Sequence, residues 1–298
     1  MNIPFLKFTK IYYIFFLLLA AAAAFCIFYF GLNFGIDFSG GSILKIEFDN
    51  RPQNSQIQEK LNSLGLGEII IQPIGKKGAV IKMKEINEDA HQKIISQLNE
   101  ISETKELSFE NIGPVIGSEL RQKTIILVFF SLIALLIYIS VAFRKVSQPI
   151  SSWQYGIISI ITLSFDVLIT VGFFAILSKL YNAQFDIPII TALLTILGYT
   201  INDKVIVFDR IRENIFKKRW TDFKELVNNS LNETLTRSLS TGSCTLLVLL
   251  AIFLFGGDTL KYFSLTLIIG ILVGTFSSLF IASPLLVTWL NWSQKRGG

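Results

Sequence analysis

Hydrophobic residues fall into six long stretches along the chain, and polar or glycine-containing segments separate them. A transmembrane helix needs about 20 predominantly apolar residues, and each stretch approaches or exceeds that length. The pattern therefore predicts six transmembrane helices, the last over-long, at Ile11–Phe30, Thr124–Phe143, Tyr155–Leu177, Ile187–Phe208, Ser238–Phe255 and Tyr262–Leu290. Of the 298 residues, 51% are hydrophobic, which is too apolar for an ordinary soluble protein of this length.

The first stretch also has features of a secretory signal peptide, because Ala20–Ala24 supplies small residues at which a leader could be cleaved. The apolar region of a signal peptide has about 7–15 residues, whereas this stretch has the length of a full membrane span. We therefore expect an uncleaved membrane anchor rather than a cleaved signal.

The segment between the first two stretches, about Gly31–Lys123, is polar and predicts a separate domain. Ser42–Phe48 alternates apolar and polar residues as a half-buried strand does, and Gln56–Leu64 carries its apolar residues on one helical face. The same reasoning predicts three further strands, at Glu68–Ile74, Ala79–Met83 and Glu106–Asn111, and a second helix at Glu88–Ile101. The order β-α-β-β-α-β is that of a ferredoxin-like α+β fold.

This predicted domain carries no constellation of catalytic residues. We interpret it as a docking or substrate-contacting surface, and recognition at an exposed sheet edge is suggested by fold analogy alone. Its single histidine, His91, lies between charged residues and is expected to be solvated on the surface.

Lysine and arginine predict the orientation, because positively charged short loops are retained in the cytoplasm. They flank the first, second and sixth stretches and fill the segment between the fourth and fifth, at Lys7, Lys10, Arg144, Lys145, Arg210, Arg212, Lys217, Lys218, Arg219, Lys224, Lys295 and Arg296. Both termini are therefore expected in the cytoplasm and the polar domain outside. The net charge of +5 reflects this bias, so no nucleic-acid partner is expected.

The predicted division of the chain has three parts. Residues 1–31 form the cytoplasmic N-terminus and first helix, residues 32–123 form the external domain with its linkers, and residues 124–298 form helices two to six. A cytoplasmic connection is expected at residues 209–237.

No enzymatic site is predicted. Cys26 and Cys244 both fall within predicted spans, so a disulfide framework is not indicated. The sequence has no Cys/His metal cluster, Walker loop or nucleophile elbow. We therefore expect neither a metal nor another cofactor, and no ATP hydrolysis by this chain.

Ionisable residues inside membrane spans are rare and costly, and each marks a candidate functional site. Asp166, Asp203 and Arg237 stand out in this chain. Polar residues near the last two could line a cavity between helices, and these are Tyr199, Asn202 and Thr241.

Asp203 and Arg237 are expected to pair, because the fourth and fifth spans run in opposite directions and Asp203 lies about 7 Å from the cytoplasmic end of its span. Burial disfavours the charged carboxylate, whereas a nearby guanidinium favours it. Moving the arginine or admitting water would then switch the acid between binding and releasing a proton. A structural salt bridge, or an arginine that extends to the lipid headgroups, is the alternative.

Asp166 lies near the middle of the third span, and three roles are open to it. It can contribute to the proton pathway, cap a polar cavity or bond to a neighbouring helix, and a structural role is favoured. Asp166 and Asp203 would form the dyad of an intramembrane aspartyl protease only at hydrogen-bonding distance, yet their depths differ by roughly 10 Å. A passive assembly subunit is the third functional alternative.

Two linkers flank the external domain. Gly35, Gly40 and Gly41 in FGIDFSGG permit tight turns or close packing, and Asp37 is interpreted as a turn or helix cap rather than a mechanistic group. IGPVIGSELRQKT, at Ile112–Thr124, carries a possible hinge between the domain and the membrane, formed by Gly113, Pro114 and Gly117.

Several segments together resemble a known family: FGIDFSGG, IGPVIGSEL, GYTINDKVIVFDRIREN, and LTRSLSTGSCTLL followed by FLFGG. The chain resembles the SecF family, the smaller membrane subunits of bacterial SecD–SecF protein-export complexes in the resistance–nodulation–division superfamily. The resemblance covers nearly the whole chain, and the GYTIND…FDRIREN block is its most specific part.

The resemblance implies a subunit of the bacterial inner membrane with a periplasmic ferredoxin-like domain. It implies four partners, namely SecD, the SecYEG channel, a translocating preprotein and protons. The proton gradient would help to complete translocation after the ATPase-driven stage. The family's proton-pathway aspartate falls on Asp203, and its fifth-span arginine falls on Arg237.

The chain departs from the family pattern at two positions. Thr200 stands where a serine is usual, which is conservative, and Lys204 stands where a small hydroxyl residue is usual. Adjacent residues on a helix point about 100° apart. Lys204 is therefore expected to face a partner subunit or extend outward, which leaves Asp203 functional. If it pairs with Asp203 instead, the proton affinity of Asp203 would change.

Overall fold

The chain forms two compact units. Its structure, a computed structural model, describes residues 3–67, 69–144, 149–217 and 222–296. Met1–Asn33 and Leu127–Gly298 form the helical unit, and Phe34–Ile126 forms the sheet unit. The helices are α1 (Thr9–Phe30), α2 (Ile36–Ser39), α3 (Asn54–Asn62), α4 (Glu88–Asn99), α5 (Pro114–Ala142), α6 (Ser152–Tyr181), α7 (Ile187–Phe216), α8 (Phe223–Phe255), α9 (Asp258–Ser277) and α10 (Ser283–Arg296). The strands are β1 (Gly41–Phe48), β2 (Ile70–Ile74), β3 (Gly78–Met83) and β4 (Thr104–Ile112).

The sheet unit is a four-stranded antiparallel sheet with the strand order β2-β3-β1-β4. Its strands and its helices α3 and α4 follow one another in the predicted order. Glu68, the predicted start of the second strand, lies outside the described residues. Apolar residues of β1 alternate with polar ones and pack against both helices, in a core that contains Leu44, Ile46, Phe48, Ile57, Leu61, Ile94 and Leu98.

His91 is buried in this unit, so the prediction of a solvated surface histidine is wrong. It is only 5% exposed. Helical spacing places it on the same face of α4 as Ile94 and Leu98, which face the core. Its ring stacks on Phe109 of β4, with ring centroids 4.0 Å apart and planes inclined by 6°.

The helical unit confirms the prediction of six candidate membrane spans. Six helical segments among the described residues are long and apolar enough to cross a membrane, at Thr9–Phe30, Pro114–Ala142, Ser152–Tyr181, Ile187–Phe216, Phe223–Phe255 and Leu260–Lys295. The sixth contains a π-helical turn, Ser278–Ala282, between α9 and α10.

Both ends of the predicted connection at residues 209–237 are helical in the part that the structure describes, and its cytoplasmic location stays a prediction. α7 continues to Phe216 and α8 already begins at Phe223. Ion pairs within α7 explain this, because Arg212 lies 2.6 Å from Asp209 three residues earlier. At the start of α8, the Asp222 side chain accepts a hydrogen bond from the Lys224 backbone N–H.

α9 packs closely against α7 at two glycines. A Cβ added to Gly274 would overlap Thr200 Cγ2, and one added to Gly270 would overlap Ile196 Cδ1. Small residues at a four-residue spacing allow helix backbones to approach in this way. The close contact ends one helical turn before the polar residues at the end of α9.

We expect Gly274→Ala to destabilise the full chain by about 1–3 kcal/mol, because the added methyl group enters filled space between α7 and α9. Thermal unfolding of the purified chain in detergent measures the loss. Gly198→Ala is the matched control, since Gly198 lies on the exposed face of α7 and an added Cβ there has no neighbour within 4 Å. Equal melting temperatures for the two variants would contradict the close packing.

The contacts of Glu88 indicate that the stability of the sheet unit depends on pH. Its Oε1 accepts a hydrogen bond from Gln92 at 2.7 Å and lies 3.3 Å from His91 Nδ1. These two contacts hold the pKa of Glu88 below its usual value of 4.5. A carboxyl with a lowered folded-state pKa adds stability above its unfolded-state pKa, and this stability is lost as the pH falls through the lowered value.

Glu88→Gln is therefore expected to speed hydrogen exchange of the α4 amides at neutral pH, and the difference from the wild type should vanish in acid. Mass spectrometry of peptides from the full chain measures this exchange. Asp89→Asn removes a neighbouring exposed charge without those two contacts and should have a smaller effect. An effect of Glu88→Gln that grows as the pH falls would refute the prediction.

Candidate functional site

The candidate site is a cluster of buried polar side chains from α6, α7 and the last helical segment. Asp166 and Lys204 are 0% exposed, and Asp203 is 6% exposed. Ser277 ends α9 and Ser278 begins the π-helical turn, and both serines are fully buried. Asp203 and Lys204 are adjacent on α7, so their side chains point in different directions.

Lys204 forms an ion pair with Asp166. Its Nζ donates to Asp166 Oδ2 at 2.7 Å and to Ser277 Oγ at 3.2 Å. The expectation that Lys204 faces a partner subunit or extends outward is therefore wrong, and so is its possible pairing with Asp203. Of the three roles open to Asp166, the structure shows a bond to a neighbouring helix. A buried ammonium requires such a partner because leaving it alone in an apolar environment is very costly.

Asp203 is held by a neutral hydroxyl rather than by a charge. Ser278 Oγ donates to Asp203 Oδ2, and the same oxygen lies 2.9 Å from the Thr275 carbonyl oxygen. A serine hydroxyl has one proton and two acceptor positions. It can donate to an ionised Asp203, or donate to Thr275 while accepting from a protonated Asp203. This geometry therefore fits both charge states of the acid.

Ser277 has a more restricted role. Its Oγ lies 3.1 Å from the Gly274 carbonyl oxygen, to which it donates, and it accepts from Lys204. Because the ammonium can only donate, the proton of Ser277 is directed to the backbone. The two consecutive serines thus serve different neighbours, one a cation and the other a carboxylate.

Arg237 does not meet Asp203 in this chain. Its side chain is exposed on α8, and among the described residues no ion pair includes it. Thr241 Oγ1 donates to the Arg237 carbonyl oxygen at 2.9 Å, and the expected Asp203–Arg237 contact is not formed.

The other two predicted accessory residues, Tyr199 and Asn202, lie in different environments. Tyr199 contacts α8 through a hydrogen bond that its hydroxyl accepts from Thr245 Oγ1 at 3.4 Å. Asn202 is exposed. Within the described residues, neither of them is hydrogen-bonded to the Asp203 carboxylate, whose partner is Ser278.

The two linker motifs pack against each other within the sheet unit. Gly40 has φ +72°, and a Cβ built on it would lie 2.8 Å from Pro114 Cα. A Cβ on Gly117 would lie 2.9 Å from the Gly40 backbone nitrogen. The remaining motif residues are Gly35, which precedes α2, Asp37 in the first turn of α2, Gly41 in β1 and Gly113 before α5. A hinge at this place stays a prediction.

Sequence reasoning missed Ser277 and Ser278, which supply hydroxyls to the two ionisable groups of α7. Their signal is the run of small polar residues Thr275, Ser277 and Ser278 in an otherwise apolar span. Because small hydroxyl residues are common at helix interfaces in membranes, this signal was not specific.

Comparison with known proteins assigns the chain to a family. The family profile "Protein export membrane protein SecD/SecF, C-terminal" matches residues 92–292, and the "SecD/SecF GG Motif" matches residues 27–50. The Protein translocase subunit SecF of Thermobaculum terrenum is 39% identical, over 88% of this chain and 86% of that protein. The chain belongs to the SecF family.

Two further similarities extend over 98% of this chain. Protein translocase subunit SecF of Rickettsia bellii is 35% identical, over 98% of this chain and 94% of that protein. The crystal structure of SecDF from Thermus thermophilus, described as a translocon-associated membrane protein, matches with a TM-score of 0.85 and 34% identity. That match covers 98% of this chain and 39% of the crystallised SecDF chain.

Lys204→Met is expected to lower the free energy of unfolding of this SecF-family chain by about 3–5 kcal/mol, because it leaves Asp166 buried without its counter-ion. The double variant Asp166→Leu, Lys204→Met should recover most of this stability, since an apolar pair can replace a buried ion pair. Denaturation of the chain in lipid or detergent micelles measures both changes.

Lys45→Met provides the control, because Lys45 forms a partly exposed ion pair with Glu110 at 3.5 Å. Such a pair contributes about 1 kcal/mol or less. If Lys204→Met cost no more than Lys45→Met, the buried pair would not stabilise the helices as described.

Proposed function

We propose that this chain is a subunit of a protein-export complex that the proton-motive force drives, and that it helps to complete preprotein translocation through the Sec channel. Membership of the SecF family supports the export role. The proposal assigns no enzymatic activity and no cofactor to the chain.

One observation supports proton coupling most strongly, namely the placement of Asp203 against Ser278. The carboxylate is nearly excluded from solvent, and its hydroxyl partner can serve either charge state. A proton that crosses the membrane potential provides about 2.3 kcal/mol per 100 mV. An acid that binds and releases protons in the helical unit is therefore suited to use that energy.

SecD is the proposed direct partner, and the SecYEG channel and the preprotein are the further partners. The crystallised SecDF chain is longer than this chain, which supports a second subunit that completes the assembly here. Arg237 supports the same idea, because an exposed guanidinium in an apolar span requires a polar neighbour. We place Arg237 on the proton pathway with Asp203, and their contact would form in the assembled complex.

Tyr199, Asn202 and Thr241 are proposed as accessory residues on this pathway. Tyr199 connects α7 to α8 through Thr245, and Thr241 lies one turn from Arg237 on α8. Tyr199 also lies one helical turn before Asp203 on α7, and Asn202 is the immediate neighbour of Asp203 in sequence.

The proposed location is the bacterial inner membrane, with both termini in the cytoplasm. The positively charged short segments support this orientation. Residues of about 32–123 would then form a periplasmic domain. Its order of elements and its sheet order β2-β3-β1-β4 are those of a split β-α-β arrangement, which supports a ferredoxin-like fold. We propose that this domain contacts the preprotein or another export factor.

An aspartyl-protease dyad of Asp166 and Asp203 is not formed. Asp166 Oδ2 is bonded to Lys204, and Asp166 Oδ1 has no hydrogen-bond partner within the described chain. The two carboxyl groups therefore share no proton, which the dyad chemistry requires.

A passive assembly subunit is the second candidate function. The Asp166–Lys204 ion pair favours it, because that pair connects two helices and is fully buried. Proton coupling is distinguished from assembly by a variant that changes Asp203 and leaves this pair intact.

Asp203→Asn is expected to reduce gradient-dependent preprotein export to the level measured without a gradient. The reason is that an amide side chain does not bind and release a proton at physiological pH. The measurement is preprotein uptake into proteoliposomes that contain the chain, SecD and SecYEG, with and without an imposed gradient. Yield of the chain in complex with SecD should be unchanged, since asparagine preserves the acceptor for Ser278.

Asp209→Asn is the matched control, because Asp209 lies on the same helix but is exposed and pairs with Arg212. It should export at the wild-type rate. Unimpaired export by Asp203→Asn in an intact complex would leave the passive assembly function as the better account.

A further inference from the structure

The helical unit contains two buried acids and one buried base, and the base serves only one of the acids. Asp166, Asp203 and Lys204 are the buried charged side chains of the described helices in this unit. The Nζ of Lys204 donates to Asp166 and to Ser277. It makes no hydrogen bond to Asp203, although Asp203 is its neighbour in sequence.

We propose that Lys204 is the internal counter-ion that keeps Asp166 ionised, and that it thereby confines proton exchange between the two buried acids to Asp203. Lys204 and Asp166 are positioning residues in this proposal, because they act through their charges on the choice of the exchanging group. This proposal rests on the proposed function of Asp203 as the proton carrier. Its test is spectroscopic and does not depend on an export measurement.

The hydrogen bonds around Asp166 make its charge dependent on Lys204. Asp166 Oδ2 accepts a hydrogen bond from Lys204 Nζ at 2.7 Å. Oδ1 is buried and has no hydrogen-bond partner among the residues that the structure describes. A carboxylate with no other donor, in a place without solvent access, is stable in its charged form only while the cation remains. Removing the ammonium should therefore make Asp166 take up a proton.

The two serines support the same division. Ser277 directs its proton to the Gly274 carbonyl and turns a lone pair to Lys204, an arrangement that fits a charged ammonium. Ser278 lies between Asp203 and the Thr275 carbonyl and suits a carboxyl in either state. The surroundings of Asp166 are thus specific for one charge state, whereas those of Asp203 are not.

No other ionisable side chain of the described structure competes for Asp166. α6 packs against α1, α5, α7, α9, α10 and the π-helical turn. The titratable residues of these helices and of α6 itself are Lys10, Tyr12, Tyr13, Cys26, Tyr29, Glu119, Arg121, Lys123, Tyr138, Tyr155, Lys179, Tyr181, Tyr199, Asp203, Lys204, Asp209, Arg210, Arg212, Glu213, Asp258, Lys261, Tyr262, Lys295 and Arg296. Within the described part of the chain, Lys204 is the one that bonds to the Asp166 side chain.

Infrared difference spectroscopy tests the proposal, because a protonated buried carboxyl absorbs separately from a carboxylate. The sample is the full chain in lipid vesicles, with and without SecD, taken through pH steps around neutrality. We expect the wild type to show a titrating buried carboxyl signal that Asp203→Asn abolishes. Lys204→Met should add a second carboxyl signal, and Asp166→Asn in that background should remove it.

Lys204→Arg keeps a cation at this position, so it should not show the second carboxyl signal. A purely structural role of the lysine would not require the signal to depend on charge in this way. A buried carboxyl signal that persists in Asp203→Asn and depends on Asp166 would overturn the proposal. The same conclusion would follow if folded Lys204→Met showed no signal dependent on Asp166. If Lys204→Met does not fold, the wild type and Asp203→Asn still test whether proton exchange is confined to Asp203, and exchange by Asp166 in either sample refutes the proposal.

The outcome is separable from that of the proposed function. If Asp203→Asn exports preprotein normally while the spectra still assign proton exchange to Asp203 alone, proton-driven export fails and the counter-ion role of Lys204 stands. If export is lost but the spectra assign exchange to Asp166 as well, the function stands and the counter-ion role fails.

Discussion

The ion pair between Lys204 and Asp166 determines how charge is accommodated between α6 and α7. Isolated, either group would be very costly in an apolar interior, but together they are neutral at a separation of 2.7 Å. Ser277 supplies a further acceptor and extends the pair to α9. The charge of Asp166 is thus balanced by Lys204, whereas the buried Asp203 has a hydroxyl as its partner. This difference distinguishes Asp166, a structural carboxylate, from Asp203, a candidate proton carrier.

Close packing of α7 and α9 is a condition for this arrangement. A serine hydroxyl extends only one carbon from the backbone, so it reaches a neighbouring helix only when the two helices are close. Gly270 and Gly274 allow that approach, and Ser277 and Ser278 follow Gly274 by about one turn. Larger residues at the glycine positions would move the hydroxyls away from Lys204 and Asp203 together.

The sequence predicted the six spans and the order of elements in the sheet unit, because hydropathy and periodicity are local properties. It also identified Asp203 and Asp166 as unusual charges in apolar helices. It did not predict the partner of Lys204, since Asp166 is 38 residues away and pairing depends on how two helices face each other. His91 was misjudged for a related reason, because its charged sequence neighbours suggested exposure, whereas it lies on the core-facing side of α4.

The π-helical turn at Ser278–Ala282 has a consequence for the whole sixth span. A π turn holds one residue more than an α turn, so the residues that follow it are rotated by about 100° relative to an uninterrupted α-helix. The first half of the span can then present its small residues to α7, while the second half presents Thr288 to Tyr13 of α1, whose hydroxyl lies 2.9 Å away. One continuous segment thus carries two contact faces that are out of phase, and it contacts both α7 and α1 without a break in the helix.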